Sequence, residues 1–311
     1  MYESRNPTDI IRSYIRDLVD SVSKMRYGKW ELILVVSSSQ ELLRWLRSIE
    51  VQGLRVIFTP EAVGLTEARN IGAQSSRGEI IAFIDDDTIV LPGWGDAVVS
   101  ALGRKDVIGV TGPCVPRFDD VFDVWIPREF SWLVGGTTWA DYQDNQEVRN
   151  VWGTNMAFSC RAFDQGRGFS TTMGLKQGDR GTWSELGAEE VEFSIRLRQE
   201  TSLKVIYRRD MQVFHRVSSF RTTNRAIAQR AFWIGRSRRM IQSFTIADDV
   251  GLVKLEGRLL RDALKAALSL VSEVIARKKG ASRTLQIEIL AFLFLAFGFC
   301  FQSGLLIRFH I

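Results

Sequence analysis

Three consecutive aspartates, Asp85, Asp86 and Asp87, close the apolar run in AFIDDDTIV. Adjacent carboxylates repel one another, and a divalent cation with oxygen ligands relieves that repulsion. Ser37, Ser38 and Ser39 close a second apolar run, WELILVVSSS, with small hydroxyl side chains. A solvated acidic turn is the commoner setting for such a triplet, so its meaning depends on the elements that carry it.

Those elements alternate regularly. Residues 8–26 place Ile11, Ile15, Leu18, Val19 and Val22 at helical spacing behind a capping Thr8. Strands are predicted at 30–39, 54–59 and 79–87, and helices at 39–49 and 65–78, the second stopping near Gly78. Strand, helix, strand, helix, strand at this spacing predicts a doubly wound, mostly parallel α/β sheet. Ligands of such sheets bind beyond the carboxyl ends of the strands. Ser37–Ser39 and Asp85–Asp87 both fall there, which favours a ligand-facing triplet over a merely solvated one. Farther along, 93–103 reads as helix and 107–115 as strand, while 116–150 gives no assignment. Residues 151–163 return to strand and helix, 176–188 reads as a loop that orders with ligand, 189–199 as helix, and 204–217 as two extended runs. The rest reads as helical.

The chain has 311 residues, 45% hydrophobic and 25% charged, an ordinary globular balance able to bury one large core or two smaller ones. Cys114, Cys160 and Cys300 are odd in number and far apart, which suggests neither a disulfide framework nor a zinc site and points to a reducing cytoplasmic compartment. No secretory signal is read at its start. Arginines are dense between Arg216 and Arg239, without the interleaved aromatic platform of a nucleic-acid site, so no nucleic acid is expected. From Ile289 to Phe301 there is no charged or strongly polar residue, and the window 287–307 is interrupted only by Glu288, Gln302 and Ser303. That is long enough for one membrane span, with a buried core helix as the bland alternative. Arg277, Lys278, Lys279 and Arg283 would hold its leading flank on the cytoplasmic side. Residues 257–279 are amphipathic and basic, suited to a membrane surface.

Four motifs in series, GLTEARNIGAQSSRGEIIAFIDDDTIVLPGW, GTNMAFSCRAF, AEEVEFSIRLRQ and VFH, resemble the family 2 glycosyltransferases of the GT-A fold, from near residue 2 to about residue 245. The likeness is to membrane-associated prokaryotic and archaeal enzymes that glycosylate polyprenyl-linked or surface glycans. By position, the resemblance makes Asp85 and Asp87 the pair that holds Mn²⁺ or Mg²⁺ against a donor diphosphate, where charge builds as the nucleotide leaves. It places Asp86 at the donor sugar or ribose, and Arg69 with Asn70 at the diphosphate or sugar, a role suited to a guanidinium. It assigns His215 to the metal, although a lone histidine at a strand end is more often structural. Glu190, or Glu189 beside it, takes the general-base position for an inverting single displacement, while acids also favour a helix's first turn on electrostatic grounds alone. Glu192 is a weaker candidate that can pair with Arg196 one turn on. Gly153, Thr154 and Asn155 fall on the acceptor side.

Two departures stand out. The family's aspartate after the second strand is replaced by VVSSSQ, leaving the base contact to Ser37, Ser39 or another group. The family's first strand has no counterpart before MYESRNP, so a central strand is expected to be missing and its neighbours to expose unpaired backbone. The processive QXXRW motif has only QRAFW at 229–233, favouring addition of a single sugar. The expected organisation is a GT-A domain over 1–220, a basic helical membrane-proximal region over 221–284 and a transmembrane or membrane-embedded helix over 285–308. The expected partners are a nucleoside-diphosphate sugar, a lipid-linked or polysaccharide acceptor and the cytoplasmic face of the cell membrane. Competing readings are a sugar-nucleotide nucleotidyltransferase, for which no Gly-rich phosphate loop is found, and a membrane-bound scaffold that has lost donor binding.

Overall fold

A computed structural model describes residues 7–119, 126–139, 141–171, 174–177, 183–186, 188–241, 265 and 281–302. The strands are β1 (Leu32–Ser37), β2 (Leu54–Thr59), β3 (Ile80–Ile84), β4 (Thr88–Val90), β5 (Val107–Thr111), β6 (Cys114–Phe118), β7 (Asn155–Ser159), β8 (Gly174–Gln177), β9 (Trp183–Leu186), β10 (Lys204–Tyr207) and β11 (Val213–Val217). The helices are α1 (Pro7–Ser23), α2 (Gln40–Leu46), α3 (Leu65–Ser75), α4 (Trp94–Leu102), α5 (Glu189–Thr201), α6 (Asn224–Ile241) and α7 (Ala281–Gln302). Two compact units result, one drawn from Met1–Cys114, Gln143–Ser184 and Glu189–Arg216, the other from Val115–Tyr142, Glu185–Ala188 and Val217–Ile311.

The first unit has the expected alternation, with helices that start and stop where capping and breaking residues dictate. Ser39 caps α2 by accepting the Leu42 N–H at 3.2 Å. The sheet departs from the expected one in two ways. β1 and β2 pair in parallel, as do β5 and β10, but β7 runs antiparallel between β3 and β5. The ladder is also divided. Among the described residues β1 pairs only with β2, and β3 lies at the end of the order β10-β5-β7-β3. Each therefore keeps one unpaired edge, and Ala82, midway along β3, is exposed. The predicted helix after β7 is a short 3-10 turn, Cys160–Gly166, because Asp164 and Gln165 leave helical backbone geometry.

Leu18 and Val22 of α1 join Trp94, Val98, Val107, Val110, Met211 and Val213 in one apolar core. A second knot is aromatic. Phe83 of β3, Phe158 of β7, Phe163, Phe169 and Phe193 of α5 stack with centroids between 4.7 and 6.3 Å. Burying each such ring contributes roughly 1.5–3 kcal/mol. The knot locks the strand leading to Asp85 against the helix that begins at Glu189.

In the second unit, Phe130 and Leu133 of a 3-10 helix at Arg128–Val134 pack with Ile227 and Ala231 of α6 and Ile287 and Ala291 of α7. The predicted amphipathic segment 257–279 lies outside the described residues except Lys265, as does part of the loop at 176–188.

Candidate active site

Asp85, Asp87 and His215 converge. Each offers a ligand atom, and these atoms all lie within 4.8 Å of one another. Backbone pairing explains how. β11 runs antiparallel to β4 with His215 opposite Thr88, one residue beyond Asp87, and the Arg216 N–H donates to the Asp87 carbonyl at 2.8 Å. His215 Nε2 lies 3.2 Å from Asp87 Oδ1. Asp87 and His215 are buried while Asp86 is exposed, so the triplet turns two of its acids toward the histidine and the third toward solvent. Arg216 is held beside them, its guanidinium 4.3 Å over the Tyr14 ring and paired with Asp17.

A second group is organised by Arg69, which α3 buries. Its Nη1 donates to Glu189 Oε1 at 2.6 Å, and its Nη2 donates to Asp85 Oδ1 and the Gly153 carbonyl, each at 3.2 Å. Burial opposes the guanidinium charge, but Asp85, Glu189 and Glu190 more than offset it, so its pKa is raised and the cation is secure. Arg69 thus joins the two acidic centres through Asp85. Gly153 leaves room for this, since a side chain there would begin 3.3 Å from Arg69 Nη2 and 3.7 Å from the Glu190 carboxyl carbon.

The adjacent glutamates differ. Glu189 is buried on Arg69, whereas Glu190 is half-exposed beside Gly153. Ser194 fixes them, its Oγ donating to the Glu190 carbonyl at 2.6 Å while accepting the Val151 N–H at 3.2 Å. That clamp ties the first turn of α5 to the segment carrying Gly153. Glu192 pairs with Arg196 at 2.7 Å, one helical turn on.

Several residues expected at the ligand also carry hydrogen bonds to the scaffold. Asn155, expected on the acceptor side, is fully buried. Its Oδ1 accepts from Trp94 Nε1 at 2.9 Å, and its Nδ2 donates to the carbonyls of Met211 and Pro113 at 2.7 and 3.3 Å. Asn70, expected at the donor, exchanges hydrogen bonds with the Phe169 backbone, both at 2.9 Å. Ser37 accepts from the Val63 N–H at 2.9 Å and donates to the Glu61 carbonyl, and Ser39 caps α2. Ser39 bonds backbone local to it, whereas Asn155, Asn70 and Ser37 meet backbone that folding brings near from distant parts of the chain. Gly153 remains half-exposed beside Glu190, and Thr154 after it is half-exposed too.

The Arg69–Glu189 pair was beyond sequence reasoning, which placed Arg69 at the donor diphosphate or sugar and gave it no partner on α5. The Ser194 clamp likewise has no local sequence signal, since it needs α5 and the segment before β7 side by side.

The glycosyl transferase family 2 profile matches residues 9–167. A glucosyl-dolichyl phosphate glucuronosyltransferase of Haloferax volcanii is 29% identical over 228 residues, 72% of this chain and 71% of that protein. Among solved structures, a mannosyltransferase of Pyrobaculum calidifontis in complex with GDP-Man and Mn²⁺ superposes with a TM-score of 0.58 at 17% identity, covering 94% of this chain and 84% of that one. GalNAc-T7 with UDP, GalNAc and Mn²⁺ gives 0.50 at 16% identity over 79% of this chain and 52% of that one. The fold is therefore the one the sequence resemblance implied.

Proposed function

Because the chain belongs to glycosyl transferase family 2 and is accordingly a glycosyltransferase, we propose that it moves one sugar from a nucleoside-diphosphate donor to a lipid-linked acceptor, with inversion. The observation that carries the reading is the joining of the Asp85–Asp87–His215 cluster to the Glu189–Glu190 pair through Arg69. The glucuronosyltransferase relative, whose name specifies a glucosyl-dolichyl phosphate, supports a polyprenyl-phosphate-linked acceptor.

Two carboxylates and an imidazole fit a divalent ion. Mg²⁺ strongly prefers oxygen ligands, so the histidine favours Mn²⁺. Asp85, Asp87 and His215 would hold the ion, which when bound neutralises charge gathering on the leaving diphosphate. Arg69 keeps Asp85 and Glu189 in fixed positions and adds a permanent positive charge to the same site. Glu190 serves as the base. The acceptor hydroxyl gives its proton to the Glu190 carboxylate as its oxygen bonds to the anomeric carbon, and the diphosphate departs with the electron pair of the broken bond. Glu189 is already engaged by Arg69 and serves as its anchor.

The test uses detergent-solubilised full-length protein with Mn²⁺ or Mg²⁺, a panel of nucleotide sugars, and polyprenyl phosphate or glycosylated polyprenyl phosphate. Label entering the lipid phase from one donor, abolished by Asp87→Ala and by Glu190→Gln, is the expected result. Nucleotide released without transfer to any lipid would refute the acceptor assignment. Undiminished transfer by Glu190→Gln would refute the base.

A further inference from the structure

α7 is the one helix among the described residues that is long and apolar enough to cross a membrane, over Ser282–Phe299. Its 22 residues extend about 33 Å, close to the roughly 30 Å of a hydrocarbon core. Length therefore permits a span. What packs against it does not.

α6 lies along α7 in the same direction. Ile227 and Ala231 meet Ile287 and Ala291 at one end, Phe232 stacks on Phe297 at 5.5 Å, and the Arg239 guanidinium lies 5.6 Å over the Phe299 ring at the other end. The helices touch backbone to backbone. A methyl on Gly235 would strike the Leu295 carbonyl, and one on Gly298 would strike the Phe232 carbonyl. Such closeness fixes the pair as one object, so wherever α7 goes, α6 goes with it.

α6 is not a membrane helix. It carries Arg225, Arg230, Arg236, Arg238 and Arg239 along NRAIAQRAFWIGRSRRMI. By the pairing just described, Arg230 stands level with the middle of the apolar stretch of α7, and Arg236 and Arg239 with its last turns. If α7 spanned a bilayer, Arg230 would sit near the midplane, where each arginine costs about 2.5–3.5 kcal/mol or more.

The outward side of α7 is nevertheless oily. Ile289, Leu293 and Phe297, one helical turn apart, are 50%, 63% and 48% exposed, with Phe294 beside them. We propose that the α6–α7 pair lies flat in one leaflet of an anionic membrane, with Ile289, Leu293, Phe294 and Phe297 among the acyl chains and the α6 arginines at the level of the lipid phosphates. The pair supplies the amphipathic character that α7 lacks alone. Planar guanidinium groups are well matched to phosphate oxygens, and apolar area plus cationic charge is what holds an interfacial helix to an anionic leaflet. The inference does not rest on the transferase reading, and its test needs no activity.

The test has two parts, both on the full chain. The first is co-sedimentation with vesicles of phosphatidylcholine alone or containing 30% phosphatidylglycerol. We expect preference for the anionic vesicles, and a loss of affinity of at least tenfold for Ile289→Glu and Leu293→Glu at unchanged melting temperature, because both side chains face outward. No binding to either vesicle, or full binding by the two variants, would overturn the proposal. So would a glutamate variant that changes only the oligomeric state, which would make the stripe a contact between copies. The second part places single cysteines at Ser282→Cys and Gln302→Cys, in a background with the native cysteines replaced by alanine, in sealed membrane vesicles. A flat helix exposes both ends to an impermeant maleimide from the same side. Labelling of the two ends from opposite sides would establish a span and refute the flat arrangement.

Discussion

Asp87 and Glu288 are both buried carboxylates, one in each unit, and their surroundings are opposite. Asp87 has His215 Nε2 at 3.2 Å and shares its cluster with Asp85, which Arg69 also reaches. Glu288 is fully buried with neither carboxylate oxygen hydrogen-bonded. Burial, together with the nearby Glu129, raises its pKa from the usual carboxylate range to about 7. A buried acid among convergent polar groups is an assembled site, whereas one without them has its charged form disfavoured by the loss of water.

Four variants test that contrast, from the largest expected effect to the smallest. Glu190→Gln keeps shape and hydrogen bonding but removes the base, and should lower kcat by roughly 10²–10⁴-fold with little change in melting temperature. Full activity would end the contrast between Glu190 and Glu189. Asp87→Ala should lower turnover by about 10³-fold, the order expected for losing several kcal/mol of charge stabilisation. It should also abolish Mn²⁺ binding measured by calorimetry or electron paramagnetic resonance, and Mn²⁺ affinity at the parent level would show that Asp87 is not a ligand. Arg69→Leu leaves Glu189 buried without its cation, so denaturant unfolding should show a loss of about 3–5 kcal/mol besides lost activity. A variant as stable as the parent would mean the ion pair is dispensable to the fold.

Glu288→Gln gives the smallest effect, and its sign depends on pH. Between about 4.5 and 7 the unfolded glutamate ionises while the folded one keeps its proton, so the folded state binds more protons and stability falls as pH rises through that window. The full benefit of the protonated side chain is present below about 4.5 and is lost by about 7. Melting curves from pH 4 to 8 should show this decline in the parent and its absence in Glu288→Gln. Parallel pH profiles for the two proteins would place the carboxyl in contact with water or a cation.

The site was legible where its chemistry lies in contiguous residues and illegible where it depends on what folding brings together. Asp85–Asp87 ends an apolar run, and that position alone implied convergence with a ligand. His215 needed the β4–β11 register to meet Asp87, and only its likeness to a family motif singled it out. The scaffold hydrogen bonds of Asn70, Asn155, Ser37 and Ser39 were illegible because residue type does not reveal which backbone groups folding brings within reach. For Ser39 a signal existed, since a serine directly before a helical run is a cap. β7 entering antiparallel was invisible to periodicity, which reports exposure and not strand direction.

The unpaired borders of β1 and β3, among the described residues, have a consequence for handling the protein. LILVVS and IIAFI contain no lysine, no proline and no charge, the residues that ordinarily discourage one sheet edge from joining another. Among the described residues these two borders have no partner strand, and as the solution is concentrated, linear association through them competes with staying monodisperse. A single lysine replacing the exposed Ala82 would act as a spacer against such polymerisation and lengthen the useful life of a preparation.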